Sequence, residues 1–552
     1  MATQWPPQLI FNTDGHWIIN YQDRWRPEDI TKMVPVLAEA GVDALSVLVG
    51  IDDDLSWRGS PHGQLWGDNI AEWNPDPLPT DIHGNPLQEA APLHVHGRPV
   101  RAIDGKMPMN AHECLYGLFA KVIDDGHDLM QIYIEGARRH GLVAYASFRM
   151  NDAHACNEAR GWYGRSRQKV ERPDLLIGFP VPKGVHGAEW SFSWRWDYAK
   201  EEVRQRFLGL FDEVLTRCDF DGLEIDFSRA PPFFRAGEVI ANIPVMTQFM
   251  RDAREIVKRH SAARGRTLRL IVRVPVGLGE NLEEGMDTET WIREGLADIV
   301  VLGSPGYCVH EIDIGQAVSC AEQSGVLVFT GFDGSTYAAS PQEGYERNPS
   351  CVLRATALNG YREGAAGVHL FNYDYPSHRA GPASSDDFNV FDQHHLETIR
   401  DLRNPASLER RNRCYYLPSP MGGGGPDHRT QVPRQLALIG RGAGPEHAMR
   451  LVVHDDVEAG RAAGRIEETE LRLRMEDYDD SLDRIRFEVN CEPLRFAPSR
   501  TLENSQGQEW LVFDDPPLRQ GLNTVLLVLE GIKTPDPWPS VQQCEILILA
   551  GN

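Results

Sequence analysis

Eight short apolar runs recur in the first four hundred residues, and longer amphipathic stretches lie between them. This alternation predicts parallel strands that are covered by helices. The predicted strands are 7–13, 43–50, 142–148, 220–227, 268–275, 299–305, 326–333 and 368–375. The clearest helical stretches, with apolar residues at three- and four-residue steps, are 27–41, 127–141, 199–218 and 245–260.

The number of strand–helix units favours an α/β fold of the closed type, a (β/α)8 TIM barrel. Eight units close such a barrel, and no GxGxxG turn follows the first strand, as an open dinucleotide-binding sheet would require. The connections 51–126 and 149–198 are too long for turns and should emerge at the C-terminal face of the barrel. Their many Trp residues either stack on sugar rings or anchor these insertions onto the barrel.

The chain changes character at the Gly- and Pro-rich segment 419–435. Beyond it, short alternating or apolar runs between turn signals predict a C-terminal all-β sandwich. The segments 480–494 and 516–531 resemble jelly-roll modules. We therefore expect a catalytic barrel over 1–415, a linker over 416–435 and an accessory β-sandwich over 436–552. The sandwich either binds sugar or packs against the barrel.

Charge and composition exclude some classes of partner. The 552-residue chain has a formal net charge of −24 at pH 7, which disfavours nucleic acid and anionic membrane surfaces. It shows neither an export signal nor a long apolar run, and its nine cysteines are scattered, so we expect a cytoplasmic protein with reduced thiols. No cofactor or metal motif with supporting context is present, and the oligomeric state stays open, a homo-oligomer included.

The fourth predicted strand carries two acids near its end. Glu224 and Asp226 are two residues apart, so their side chains point to the same side, into the mouth of the barrel. We expect this pair to face an open pocket. Two such close carboxylates need partners, or their repulsion raises one pKa as a general acid requires. Alternatively, Glu224 pairs with Arg273 on the fifth strand, which leaves Asp226, nearer the rim, as the better catalytic candidate.

Other predicted strands also end in polar residues, and in a closed barrel these ends meet at one face. Arginine and asparagine suit hydrogen bonding to hydroxyl or carboxylate groups, and aspartate or histidine can move a proton. Any one of these residues could instead support loop structure. The candidate substrate-binding residues are Asn12, Asp14, Arg149, Asn151, Asp152, His154, Arg273, Asn372 and Tyr373.

Three segments resemble the glycosyl-hydrolase-like family ten proteins, which are barrel glycosidases. They are DGLEIDFSR (221–229), WIREGLADIVVLGSP (291–305) and GAAGVHLFNYDY (364–375), and the resemblance covers most of 7–404. It implies a hydrolase that cleaves a glycosidic bond of a carbohydrate substrate, with an acid from the fourth strand taking part. Glu224 and Asp226 stand at that place in this chain.

The sequence departs from the catalytic patterns of better-known glycosidase barrels. It has no Asn-Glu after the fourth strand and no Glu on the seventh, and Ser228 stands where the chitinase-like DGxDxDxE pattern ends in Glu. The second carboxylate must therefore come from elsewhere, with Asp374, Asp152 and Asp333 as candidates in that order.

Two other functions stay open at this point. One is a barrel that binds carbohydrate without cleaving it, which the absent seventh-strand Glu would explain. The other is a metal-dependent hydrolase with His and Asp ligands at the rim. His94 and His96 share one face of an extended segment, but no further ligands accompany them.

Overall fold

The structure is a computed structural model of the chain. It describes residues 5–15, 17, 26–65, 94–95, 98–99, 111–151, 167–178, 195–303, 312–333, 349–373, 393–417, 446–478, 482–494, 500–503, 509–531 and 539–551.

Eight parallel strands form a closed barrel, as the sequence predicts. Each strand pairs with its neighbours in chain order, and the first pairs with both the second and the eighth. This confirms the predicted (β/α)8 TIM barrel. The barrel strands are β1 (Leu9–Thr13), β2 (Ala44–Ile51), β3 (Val143–Arg149), β4 (Gly222–Asp226), β5 (Arg269–Val274), β6 (Ile299–Gly303), β7 (Leu327–Asp333) and β8 (Gly367–Phe371).

Helices lie between the strands, and none of those described is long and apolar enough to cross a membrane. They are α1 (Val34–Glu39), α2 (Ala111–Asp124), α3 (Leu129–Arg139), α4 (Arg167–Glu171), α5 (Glu201–Arg217), α6 (Val239–Arg264), α7 (Leu278–Glu283), α8 (Thr288–Arg293), α9 (Ile314–Ala321), α10 (Pro349–Arg362), α11 (Gln393–Leu402) and α12 (Pro405–Leu408). The predicted helix 27–41 is instead a 3-10 turn, Pro27–Thr31, followed by the short α1.

Part of the predicted insertion after β2 is regular structure. The short strands Asp54–Leu55 and Gln64–Leu65 extend the barrel sheet beyond β2. Asp54–Leu55 runs antiparallel to the end of β2. Further along, His94–Val95 and Arg98–Pro99 form a separate two-stranded sheet, and α2 precedes α3.

The barrel interior has three layers, because alternate residues of each strand face inward. Towards the N-terminal end of the strands lies an apolar layer of Ile10, Ala44, Tyr145, Ile271, Ile299, Val301 and Phe329. A middle layer, which we call the polar layer, consists of Asn12, Ser46, Ser147, Glu224 and His369. The layer at the C-terminal end, the charged layer, consists of Asp14, Arg149, Asp226, Arg273 and Phe371.

The C-terminal domain is a sandwich of two antiparallel sheets with its own buried core, as the sequence predicts. One sheet has the order β9-β17-β11-β15-β14 and the other β10-β16-β12-β13. These strands are β9 (Arg413–Leu417), β10 (Glu446–Val453), β11 (Ile466–Glu476), β12 (Ile485–Val489), β13 (Glu492–Pro493), β14 (Arg500–Glu503), β15 (Glu509–Asp514), β16 (Gly521–Leu529) and β17 (Ser540–Ala550), with helix α13 (Val457–Ala462) between β10 and β11.

Helix α10 joins the two domains. Most of its buried apolar side chains pack in the barrel, whereas Ala355 belongs to the core of the sandwich. From the same helix, the Asn359 side chain donates to the Val452 carbonyl over 2.8 Å and accepts from the His454 amide over 3.0 Å. Because side chains of one helix belong to both cores, the sandwich is anchored directly to the barrel.

Candidate active site

The polar layer is organised around one carboxylate. Glu224 Oε1 accepts from Asn12 Nδ2 at 2.6 Å and from Ser147 Oγ at 2.9 Å. Glu224 Oε2 lies 2.8 Å from His369 Nε2. These partners come from β1, β3 and β8, so Glu224 on β4 links four strands across the barrel. The Glu224 side chain is fully buried.

The pKa of Glu224 is lowered, whereas repulsion between the two acids of β4 would have raised it. Burial raises the pKa of this carboxyl, but the His369 charge and the hydrogen bonds from His369 and Ser147 outweigh burial. The pKa of Glu224 therefore lies below its ordinary value, and the group is ionised at neutral pH. A general acid must hold a proton at that pH, so Glu224 does not fit that role.

Two ion pairs make up most of the charged layer. Arg273 Nη1 donates to Asp226 Oδ2 at 2.9 Å, and Arg149 Nη2 lies 2.6 and 2.7 Å from the two Asp14 oxygens. The two guanidinium groups share one aromatic ring, since the Cζ atoms of Arg149 and Arg273 lie 5.1 and 4.1 Å from the centre of the Phe371 ring. The layer thus carries two positive and two negative charges.

The alternative pairing of Glu224 with Arg273 is wrong. Strand register places Arg273 beside Asp226, and it places Glu224 beside Ile271. Because directly paired residues of neighbouring strands lie side by side and face the same way, Arg273 pairs with the acid nearer the rim. The structure therefore gives each acid of β4 a different set of partners.

The acids of β4 point into the barrel, as predicted, but not into open solvent. Glu224, Asp226 and Arg273 all have zero relative exposure. The Asp226 carboxylate also accepts from the Arg229 backbone amide at 3.1 Å. The expectation that these acids face an open pocket is therefore wrong, because protein atoms surround both carboxylates.

The remaining candidates divide into three groups. Asn372 lies in the site, where its Nδ2 donates to Asp14 Oδ2 at 3.1 Å. Asn151 instead donates to the Pro232 carbonyl and accepts from the Trp196 amide, so its side chain joins neighbouring segments, and Tyr373 is buried with its ring against His395. Four candidates lie outside the described residues: Asp152, His154, Asp374 and His96. For Asp333 and His94 only the backbone is described.

Sequence reasoning missed an acidic turn at the C-terminal end of β2. Asp52, Asp53 and Asp54 are consecutive and buried. Asp54 lies opposite Ile51, and Ile51 pairs in register with Arg149 of β3. Side chains of directly paired residues share a face, so Asp54 lies on the Arg149 side of the barrel wall.

The pKa of Asp54 is raised, whereas that of Glu224 is lowered. Burial and the neighbouring Asp53 raise the pKa of the Asp54 carboxyl well above its ordinary value. Gln64 Nε2 donates to Asp54 Oδ1 at 2.5 Å. The available signal was three acids directly after a predicted barrel strand, which is the position where such barrels carry catalytic groups.

Within the part of the chain that the structure describes, no group of three or more His, Cys, Asp or Glu side chains is arranged to hold a metal ion. The short strand His94–Val95 pairs with Arg98–Pro99. The rim residues His154 and Asp374 lie outside the described residues, so the metal-dependent alternative stays a prediction.

Comparisons with known proteins return no family and no curated relative. No protein-family model and no curated protein sequence matches the chain. The predicted membership of the glycosyl-hydrolase-like family ten therefore stays a prediction. Several solved structures of glycoside hydrolases match at low similarity.

Three of these structures span different shares of the chain. The glycoside hydrolase domain of PgaB from Bordetella bronchiseptica is 12% identical with a TM-score of 0.37, and the match covers 72% of this chain and 99% of that one. Alpha-L-fucosidase isoenzyme 2 from Paenibacillus thiaminolyticus is 11% identical with a TM-score of 0.37, and the match covers 74% of this chain and 50% of that one. Alpha-galactosidase AgaA from Geobacillus stearothermophilus is 11% identical with a TM-score of 0.33, and the match covers 95% of this chain and 55% of that one. The chain thus spans about half the length of the last two.

Proposed function

We propose that the chain is a glycoside hydrolase that acts at the charged layer of its barrel. One observation carries this proposal: the barrel interior changes from apolar to charged towards the C-terminal end of the strands. Barrel interiors are usually filled with Val, Ile and Leu, and burying charges costs several kcal/mol per ion before pairing. A layer of four buried charges at the end where barrel enzymes act favours a functional role over a structural one.

The carboxylates take different roles in this proposal. Asp226 is ion-paired with Arg273 at the C-terminal end of β4, so it suits attack on the anomeric carbon or activation of a water molecule. The proton for the leaving oxygen comes from a second acid. Asp54 is our candidate among the described residues because burial and the neighbouring Asp53 raise its pKa, and Asp374 is the candidate that the sequence favours.

The burial of Asp226 sets a condition on turnover. A sugar can reach this carboxylate only if the residues above the charged layer move apart, since Asp226 has no exposed surface. Closure over bound substrate would exclude water and strengthen the interactions of both ion pairs. Catalysis therefore requires an opening step before the chemical step.

The decisive test combines a substrate screen with the Asp226→Asn variant. Wild-type protein is assayed against aryl glycosides and polysaccharides, and we expect turnover of at least one. Asp226→Asn should lower kcat at least about a thousandfold, because the reacting carboxylate is lost. Turnover retained in this variant would remove Asp226 from the mechanism.

A matched control separates catalysis from stability. Asp226→Asn breaks the buried ion pair between Asp226 and Arg273, which costs about 3–5 kcal/mol of unfolding free energy. Asp455→Asn breaks a comparable buried pair with Arg413, within the sandwich. We expect similar destabilisation from both variants in urea titrations, but loss of turnover only from Asp226→Asn.

A second function, carbohydrate binding without cleavage, is favoured by the paired state of both β4 acids. Glu224 and Asp226 are each buried and hydrogen-bonded by several protein groups. A barrel that only binds sugar needs neither acid to react. Saturable binding of a glycan with no product after prolonged incubation would support this function over hydrolysis.

A further inference from the structure

The side-chain oxygen of Asn12, Oδ1, is a buried hydrogen-bond acceptor, and the partner of the amide nitrogen shows which atom is the oxygen. Its Nδ2 donates to the ionised Glu224, which can only accept hydrogen bonds, so the carbonyl oxygen must be the other atom of this amide. The Asn12 side chain is 1% exposed, and its Oδ1 has no hydrogen-bond donor among the residues that the structure describes. A buried amide oxygen without a donor costs about 1–3 kcal/mol.

Asn372 repeats this arrangement at the adjacent strand end. Its Nδ2 donates to the Asp14 carboxylate, so its Oδ1 is likewise the remaining atom, and no described residue donates to it. The Asn372 amide donates to the Asn12 carbonyl at 3.0 Å, so the two residues are neighbours at the seam where β8 meets β1. Two buried acceptors that need donors therefore lie at this seam, one in the polar layer and one next to Asp14 of the charged layer.

The charge of the surroundings restricts what can supply those donors. The charged layer is neutral in sum, and beneath it the negative charge of Glu224 faces the His369 charge. A carboxylate has no proton to donate at neutral pH, and a carboxylate or phosphate group would bring a negative charge that no further positive group of these layers balances. A hydroxyl group donates a hydrogen bond without bringing a charge.

We infer that Asn12 Oδ1 and Asn372 Oδ1 form a subsite for hydroxyl groups of a neutral sugar residue, and that sugar acids and sugar phosphates are excluded from it. This inference rests on the proposed function and names the class of sugar that the same site takes. The two asparagines act as specificity-determining residues: their amide nitrogens hold the acids, and their oxygens receive the sugar.

Ligand-observed NMR with sugars in solution tests the inference. The probes are D-glucose, D-galactose, D-mannose, N-acetyl-D-glucosamine and L-fucose, compared with D-glucuronic acid and D-glucose 6-phosphate. We expect at least one neutral sugar and neither anion to bind the wild-type protein. Binding of an anion more tightly than every neutral sugar, or no binding of any neutral sugar, would overturn the inference.

The Asn372→Gly variant assigns the binding to this subsite. Asn372 has φ of +48°, a conformation that glycine adopts readily, so the backbone should keep its shape. We expect the dissociation constant of the neutral sugar to rise about five- to tenfold, as loss of one hydrogen bond predicts. Asp477→Gly, at an exposed position with φ of +57°, is the matched control and should bind like wild type.

Fluorinated sugars provide a second measurement that does not depend on how the variant folds. Fluorine replaces a hydroxyl group but cannot donate, so one deoxyfluoro analogue of the bound sugar should bind wild type more weakly and bind Asn372→Gly with no additional loss. Equal losses in both proteins would contradict the subsite. Sugar binding that depends on Asn372 without turnover of any glycoside would defeat the proposed hydrolase and leave this inference standing. Turnover of a glycoside with a KM that Asn372→Gly leaves unchanged would support the proposed hydrolase and defeat this inference.

Discussion

At the scale of single residues, two buried glutamates show how neighbours decide the protonation of an acid. Glu224 in the barrel receives hydrogen bonds from Asn12 and Ser147 and contacts His369, and its pKa is lowered. Glu545 in the sandwich is 1% exposed, and neither of its carboxyl oxygens has a hydrogen-bond partner in the described part of the chain. Burial raises the pKa of Glu545 to about 7, although Arg472 and Arg474 lower it. Burial alone therefore does not predict the charge of an acid.

The raised pKa of Glu545 makes stability depend on pH with a defined sign. Below an ordinary glutamate pKa of about 4.3, the group is protonated in both the folded and the unfolded chain. As pH rises towards 7, the unfolded chain loses this proton and the folded chain keeps it, so the free energy of unfolding falls. This loss is on the order of 3 kcal/mol and is complete above pH 7. Asp and Glu residues with lowered pKa values contribute with the opposite sign.

The Glu545→Gln variant should remove this dependence. We expect it to be more stable than wild type at pH 8 and close to wild type at pH 4.5, since glutamine carries no proton to lose. Urea titrations of both proteins at these two pH values measure the difference. An identical change between the two pH values in both proteins would show that Glu545 titrates normally in the folded chain.

At the scale of elements, strand β4 depends on the glycine with which it begins. A Cβ atom at Gly222 would lie 1.9 Å from the Arg269 backbone oxygen and 2.7 Å from its nitrogen, and φ at this position is +158°. The neighbouring strand β5 therefore approaches too closely for any side chain. Because β4 carries both Glu224 and Asp226, the position of these acids depends on a residue that touches neither of them.

Gly222→Ala should separate the start of β4 from β5. We expect a loss of several kcal/mol of unfolding free energy, because backbone on both strands must shift to relieve the contact. Gly279 provides the matched control: a Cβ atom there meets nothing within 4 Å, so Gly279→Ala should be neutral or slightly stabilising. Thermal unfolding of both variants is the measurement, and a Gly222→Ala protein as stable as wild type would contradict the expected clash.

The strands of the barrel could be predicted because fully buried parallel strands consist of continuous apolar runs, such as IVVLG in β6. Strand β9 was missed because RCYYL lies beside a Gly- and Pro-rich segment and its partner, β17, is more than a hundred residues away. In the site, alternation along β4 predicts the common face of Glu224 and Asp226. It does not predict which of them meets Arg273, because that depends on the register between strands.

At the scale of the whole molecule, a buried ion pair of the sandwich lies next to the barrel, because Arg413 also donates to the Leu408 carbonyl of α12 at 2.7 Å. Arg413 on β9 donates to Asp455, which follows β10, at 2.8–3.1 Å, and Tyr415 donates to the same carboxylate at 2.8 Å. The Arg413 side chain has zero exposure. Without Asp455 its guanidinium would be buried without its ion pair, which costs about 3–5 kcal/mol.

A chain that ends at Leu417 should therefore not fold as a soluble monomer. It lacks the apolar residues that cover Ala355 on α10, and it lacks the partner of Arg413. We expect aggregation or loss of native structure in size-exclusion chromatography and circular dichroism. Co-expression of 1–430 with 431–552 is the control and should yield a complex of both pieces. A stable monomer of 1–417 would show that the barrel does not need the sandwich.

The shared helix α10 also decides where this chain can be recombined with another. The run GGGG at 422–425 looks like the natural place to exchange one sandwich for another. A graft made there would bring in a domain shaped for a different helix, opposite Ala355 and Asn359. A crossover placed before Pro349 would instead remove β8 from the barrel together with α10, so the barrel and the sandwich can be exchanged only as one unit.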